Sequence, residues 1–239
     1  MTLSATPTLP AARTAAADPA PAVAVCSLHG GAGASTLAAL LVHAHGAPAV
    51  LADVGGVGAS LWERHASGVS LADAAEELGR TGALSRSLAA QTPEQITVIA
   101  GPPAVLPDCD VAAGMQAILT QAADRHRLVV VDCGTGQHPA QAAALSLCDR
   151  VVWVADLDAV TVGRINASLR AVQDLSPVRQ YVAARGRLRR TAAQELQRVA
   201  TEILAPIALL EPVADTTDLG AAAEQAGVGL DALLGELLR

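Results

Sequence analysis

Ala-Val-Cys-Ser-Leu-His-Gly-Gly-Ala-Gly-Ala-Ser-Thr, residues 24–36, is the stretch from which the rest of the chain is read. A short apolar run from Ala22 to Leu28 stops at Gly30, Gly31 and Gly33, and Ser35 and Thr36 then open an apolar helix ending near His45. Strand, glycine loop and helix in that order bring backbone N–H groups and a helix N-terminus onto one point, which is how a phosphate is held. Glycines after a strand also make plain tight turns, so the loop alone does not decide the reading.

The spacing meets the P-loop pattern G-x-x-x-x-G-K-[ST] in part: Leu28 stands at the first glycine, and Ala34 takes the place of the lysine before Ser35. The chain contains no lysine at all; its 16 basic residues are all arginines, none close to the loop in sequence. A charge-assisted hydrogen bond contributes roughly 1.5–3 kcal/mol. Losing it weakens triphosphate binding by roughly ten- to a hundredfold. Hydrolysis suffers more, since that cation also stabilises charge spread over the phosphoryl oxygens in the transition state.

Strand, loop and Ser-Thr helix start resemble the ParA/MinD family of P-loop ATPases, whose motif reads K-G-G-x-G-K-[ST]-[ST]. In that motif His29 stands at the signature lysine, Ala34 at the second lysine and Ser35 at the Mg²⁺-binding hydroxyl. The variant Gly30-Gly31-Ala32-Gly33-Ala34-Ser35-Thr36 looks like the TadZ/CpaE branch, atypical members associated with pilus assembly and polar localisation. The resemblance implies phosphate contacts from residues 30–36, with Mg²⁺ between Ser35 and an acidic strand end. A neutral imidazole at His29 can donate one hydrogen bond to a phosphate but does not replace an ammonium.

Composition bounds the remainder. Of 239 residues, 51% are hydrophobic and 1% aromatic, with no Phe, so Ala, Val and Leu must fill the core. A net charge of −7 argues against general affinity for nucleic acid or anionic membrane. Cys26, Cys109, Cys133 and Cys148 lack C-x-x-C spacing and read as buried free thiols. No run of eighteen apolar residues exists and the N-terminus has no basic start followed by an apolar stretch, so the expected location is cytoplasmic. Residues 1–21, rich in Ala, Pro and Thr, read as a flexible tail, and residues 22–239 as one domain.

Further strands follow in the order the resemblance implies. Ala47 to Asp53 ends in a carboxylate and is followed by Val-Gly-Gly-Val-Gly. ParA/MinD proteins end this strand with two Asp one residue apart. Aligning Gly58 with a family glycine makes Asp53 the first and puts Gly55 at the catalytic position; aligning by strand length makes Asp53 the second and Leu51 the first. The former alignment is preferred. An amphipathic helix is expected at Ser70 to Leu78, capped by Ser70, and a strand at Ile96 to Ala100 before Gly101-Pro102-Pro103. After a helix at Val111 to Ala123, Arg127 to Asp132 is an unbroken apolar, mostly β-branched run, as in a strand buried on both faces. Asp132, followed by Cys133-Gly134-Thr135-Gly136, resembles the Mg²⁺-binding Walker B strand and switch loop.

Arg150 to Ala155 and Gln180 to Ala184 are further strands, with a helix from Val160 to Val172 between them and Trp153 expected in the core. The family usually places an adenine-recognising Asn at the end of the second of these, but the only Asn here is Asn166. Six arginines lie between Arg179 and Arg198, and Arg185, Arg187, Arg189 and Arg190 form a candidate DNA or partner patch. A last strand at Ile203 to Leu210 and two short helices from Leu219 to Arg239 close the chain; Asp231, Glu236 and a single Arg239 give no basic membrane anchor.

The fold expected is a doubly wound α/β domain, mainly parallel, with helices on both faces and a ligand crevice at the carboxyl ends of the strands. Two functions are compatible with it. One is an ATPase-like positioning protein with a degenerate site, forming a homodimer and serving a larger protein assembly. The other is a slow ParA/MinD-type ATPase of DNA partition or division-site placement, using Ser35, Thr36, Asp132 and Mg²⁺.

Overall fold

The computed structural model describes residues 21–45, 48–54, 71–81, 96–100, 108–125, 128–172, 179–186, 190–214 and 218–239. Seven strands form one sheet: β1 (Ala22–Ser27), β2 (Ala49–Asp53), β3 (Ile96–Ala100), β4 (Leu128–Asp132), β5 (Arg150–Asp156), β6 (Arg179–Arg185) and β7 (Ile207–Leu210). Their spatial order is β3-β2-β4-β1-β5-β6-β7, and every neighbouring pair is parallel. Parallel pairing demands crossovers, which helices supply. These are α1 (Ala34–His45), α2 (Leu71–Thr81), α3 (Asp108–Arg125), α4 (Pro139–Ser146), α5 (Val162–Val172), α6 (Arg190–Glu202) and α7 (Leu219–Leu237).

The alternation of side chains along each strand divides the core in two. Ala22, Ala24, Cys26, Val129, Val131, Val151 and Trp153 face one layer, which α2 to α6 cover. Val23, Val25, Leu51, Val130, Val152 and Val154 face the other, covered by α1 and α7. β1 is buried along its whole length. Burial on both faces explains the continuous apolar runs of β1 and β4. Trp153 lies in the core as expected; its indole N–H donates to Gln180 Oε1 at 2.8 Å.

Two expectations shift at the C-terminal end. The last strand starts at Ile207 rather than Ile203, because Leu204 takes a left-handed conformation (φ 54°) and a turn follows α6. The closing helix is one span broken at Gly227 (φ 62°, ψ −153°), which accounts for the reading of two short helices. Past that kink α7 presses on β7: a Cβ on Gly229 would stand 1.8 Å from the Leu209 carbonyl oxygen, so only glycine fits. No helix among the described residues is long and apolar enough to cross a membrane.

Strand order fixes where a crevice opens. The chain leaves β1 toward β2 on one side, returns through β4, and then continues to β5 on the other. The carboxyl end of β1 is therefore a switch point, where the connections diverge and leave room for a ligand. The glycine loop sits there.

Candidate functional site

The loop from β1 to α1 has the curl its glycines suggest. Gly31 (φ 76°) and Gly33 (φ 98°) adopt conformations that side chains resist. Ala32 N–H donates to the His29 carbonyl at 3.2 Å, and Leu37 N–H to the Gly33 carbonyl at 2.9 Å, which starts α1. The first N–H groups of that helix have no intrahelical acceptor and carry the positive end of its dipole. Ser35 and Thr36 are half-buried at its start, whereas Ala34, at the lysine position, is buried.

Two acidic strand ends meet beside the loop. Asp53 of β2 and Asp132 of β4 are register partners, so their side chains leave the sheet on the same face, and both are buried. Asp132 Oδ1 accepts from Gly134 N–H at 3.1 Å. The Ser27 N–H and hydroxyl both donate to the Gly134 carbonyl, tying the segment after β4 to the end of β1. Gly55 and Gly58, on which the choice of first or second family Asp depends, lie outside the described residues.

The opposite wall comes from β5 and β6. Asp156 and Arg185 end these strands as register partners. Arg185 Nη2 donates to Asp156 Oδ2 at 2.8 Å and to the Gly31 carbonyl at 3.1 Å. Its guanidinium carbon lies 3.3 Å from where a Cβ on Gly33 would stand. Arg185, assigned from sequence to a DNA or partner patch, thus lies across the glycine loop. Of that patch, Arg187 and Arg189 lie outside the described residues, as does the Arg190 side chain. The clue available in the sequence was position: Asp156 and Arg185 each close a strand, and strand ends line the crevice.

His29 is used by the loop itself. Its Nε2 faces the Asp156 N–H at 3.1 Å and must accept, which leaves Nδ1 as the donor to the Gly30 carbonyl at 3.1 Å. Both ring nitrogens thus meet backbone groups in this arrangement.

Behind Asp132, Cys26, Cys133 and Cys148 are buried free thiols, as expected; the Cys109 side chain lies outside the described residues. The hydrogen bond with Cys26 and then burial push the Cys133 thiol well above the usual range, and burial does the same to Cys148. Native Cys26, Cys133 and Cys148 are expected to resist iodoacetamide at pH 8 and to label fully once unfolded, read residue by residue by mass spectrometry. The raised thiols also set a direction with pH. Unfolded thiols ionise as alkali is added while the buried ones stay protonated, so stability is complete below the ordinary thiol range and falls above it.

Solved structures supply the comparison. A ParA family ATPase from Chlorobium tepidum TLS superposes with a TM-score of 0.61 at 17% identity, over 92% of this chain and 94% of that one. The MinD cell division protein of Aquifex aeolicus gives 0.66 at 15% identity, over 90% and 98%. The fold is that of the ParA and MinD ATPases. Cobyrinic acid a,c-diamide synthase from Mycobacterium smegmatis, crystallised with an ATP analog and magnesium, shares it at a TM-score of 0.59 and 21% identity, over 90% and 94%. No protein-family model and no curated protein sequence matches this chain.

The described residues supply only part of what holds a magnesium nucleotide. On the phosphate side the donors are peptide N–H groups with the Ser35 and Thr36 hydroxyls, and the guanidinium over the loop is already paired with Asp156. Among the described residues no group of three or more His, Cys, Asp or Glu side chains forms a metal cluster. Beside the loop, between α1, β7 and α7, the cavity lined by Thr36, Val154, Arg185, Leu210 and Val213 measures about 20 Å³. That is room for about one water, against roughly 300–1,000 Å³ for an ordinary ligand pocket.

Proposed function

We propose that this chain is an ATPase-like positioning protein that keeps the ParA/MinD fold and has given up efficient ATP hydrolysis. The observation that carries this reading is the loop: Gly31 and Gly33 give it a P-loop-like curl, Ala34 is buried where the fold's catalysts carry a lysine, and Asp156 already neutralises Arg185. With no free cation over the loop among the described residues, charge on a transferring phosphoryl group finds no cationic partner there. In this reading the protein forms a homodimer across its crevices and serves as the protein partner of a larger assembly. The TadZ/CpaE resemblance points to pilus or secretion machinery and to polar or septal placement. That MinD of Aquifex aeolicus was crystallised with MinC supports a protein partner.

A slow, genuine ATPase of partition or division-site placement is the second reading. It is favoured by the paired acidic ends of β2 and β4, carboxylates of the kind that hold Mg²⁺. A similar fold in a putative plasmid partition protein from Borrelia burgdorferi, bound to AMPPNP, is in keeping with it. DNA binding would then fall to Arg187, Arg189 and Arg190, without Arg185.

Phosphate release from ATP with Mg²⁺, followed for hours, separates the two. The positioning reading expects no release above a protein-free control. Steady turnover that scales with protein concentration overturns it.

A further inference from the structure

We propose that Arg185 is an internal plug that closes this crevice to nucleotides. The inference rests on reading the loop as a former nucleotide site and names what shuts it.

Sheet register puts the plug in place. Asp156 and Arg185 are direct partners across β5 and β6, so their side chains leave the sheet together at the crevice rim. Leu157 N–H donates to the Arg185 carbonyl at 2.8 Å and carries the β5–β6 pairing one residue further. From that anchor Nη2 spans the gap to Gly31, and the guanidinium plane covers Gly33. A group attached to a phosphate in the cradle would extend along this wall, toward Leu210 and Val213. Arg185 lines the cavity there, which measures about 20 Å³.

The bonding is also incomplete. Nη2 makes both contacts, while Nε is buried without a partner. A buried unmatched donor costs stability, so the closed arrangement is not held by full satisfaction of the guanidinium. Its anchor is a partly exposed ion pair, with the arginine side chain 32% exposed, a type of contact that is only weakly held. The plug is therefore removable: when the Asp156 contact is lost, the guanidinium can turn outward and leave the loop carbonyl to solvent.

The alternative role, a phosphate ligand standing in for the lysine, predicts the opposite sign. A plug hinders binding and a ligand assists it. Arg185→Ala and Asp156→Asn, each checked for a native circular dichroism spectrum, are titrated with a fluorescent ATP analogue and Mg²⁺. The plug expects Arg185→Ala to bind at least tenfold tighter than the unaltered protein, with Asp156→Asn gaining in the same direction. Unchanged or weaker binding by Arg185→Ala overturns it, as does a gain confined to Asp156→Asn, which would make the arginine a ligand. Should Arg185→Ala not fold, Asp156→Asn decides alone: no gain overturns the plug. Phosphate release by the unaltered protein is measured beside these titrations. Turnover there refutes the positioning reading, while the sign of the Arg185→Ala change judges the plug.

Discussion

Ala34→Lys placed on Arg185→Ala binds Mg²⁺–ATP roughly ten- to a hundredfold more tightly than Arg185→Ala alone, the worth of one charge-assisted hydrogen bond. Residue 34 opens α1, where the helix dipole and the first unpaired N–H groups already favour an anion. An ammonium there would add the one element that the peptide framework lacks. In the unaltered background the same substitution gains less, for two reasons. Arg185 covers the adjacent Gly33, and a second cation beside its guanidinium is repelled. Titrating the two single variants, the double variant and the unaltered chain gives a double-mutant cycle. Equal gains in both backgrounds would mean that residues 34 and 185 act independently, and the plug would be wrong. No gain in either would mean that the loop does not hold phosphate in the manner of a P-loop.

Trp153→Ala is expected to remove about 3–5 kcal/mol of stability, out of roughly 5–15 kcal/mol for a domain. Trp153 is fully buried, and the strand residues that share its face of the sheet are short: Ala24, Cys26, Val129, Val151, Ala155, Val182 and Ala184. With no Phe in the chain, no other aromatic ring lies in that layer among the described residues. Gln180 Oε1 also loses its indole donor. Urea unfolding followed by circular dichroism measures the change, and a loss below about 1 kcal/mol would contradict the packing argument. Trp153→Leu, which retains part of the volume, should lose less.

The glycine loop, the buried β1 and β4 and the acidic end at Asp132 were legible because each depends on local chemistry. Glycines at that spacing permit the positive φ values found at Gly31 and Gly33. An unbroken run such as Leu-Val-Val-Val is stable only with both faces covered. Helix α4 was not read from sequence. It spans eight residues and its start signal is atypical: His138 caps Ala140 N–H, while Gln141 reaches back to His138. The expected cap at Ser70 and the loop at Gly101–Pro103 fall outside the described residues.

The chain's own letters determined the parallel α/β architecture, the place of the loop and the missing lysine, since periodicity, glycine spacing and composition act over a few residues. They could not determine what stands over the loop. Arg185 is 154 positions from Gly31, and only the parallel register of β5 with β6 brings it back. Nor could they tell that His29 spends both ring nitrogens on its own backbone surroundings, because its second partner, Asp156, lies 127 positions away. Contacts of this kind are fixed by strand order and register, which depend on how the whole sheet packs.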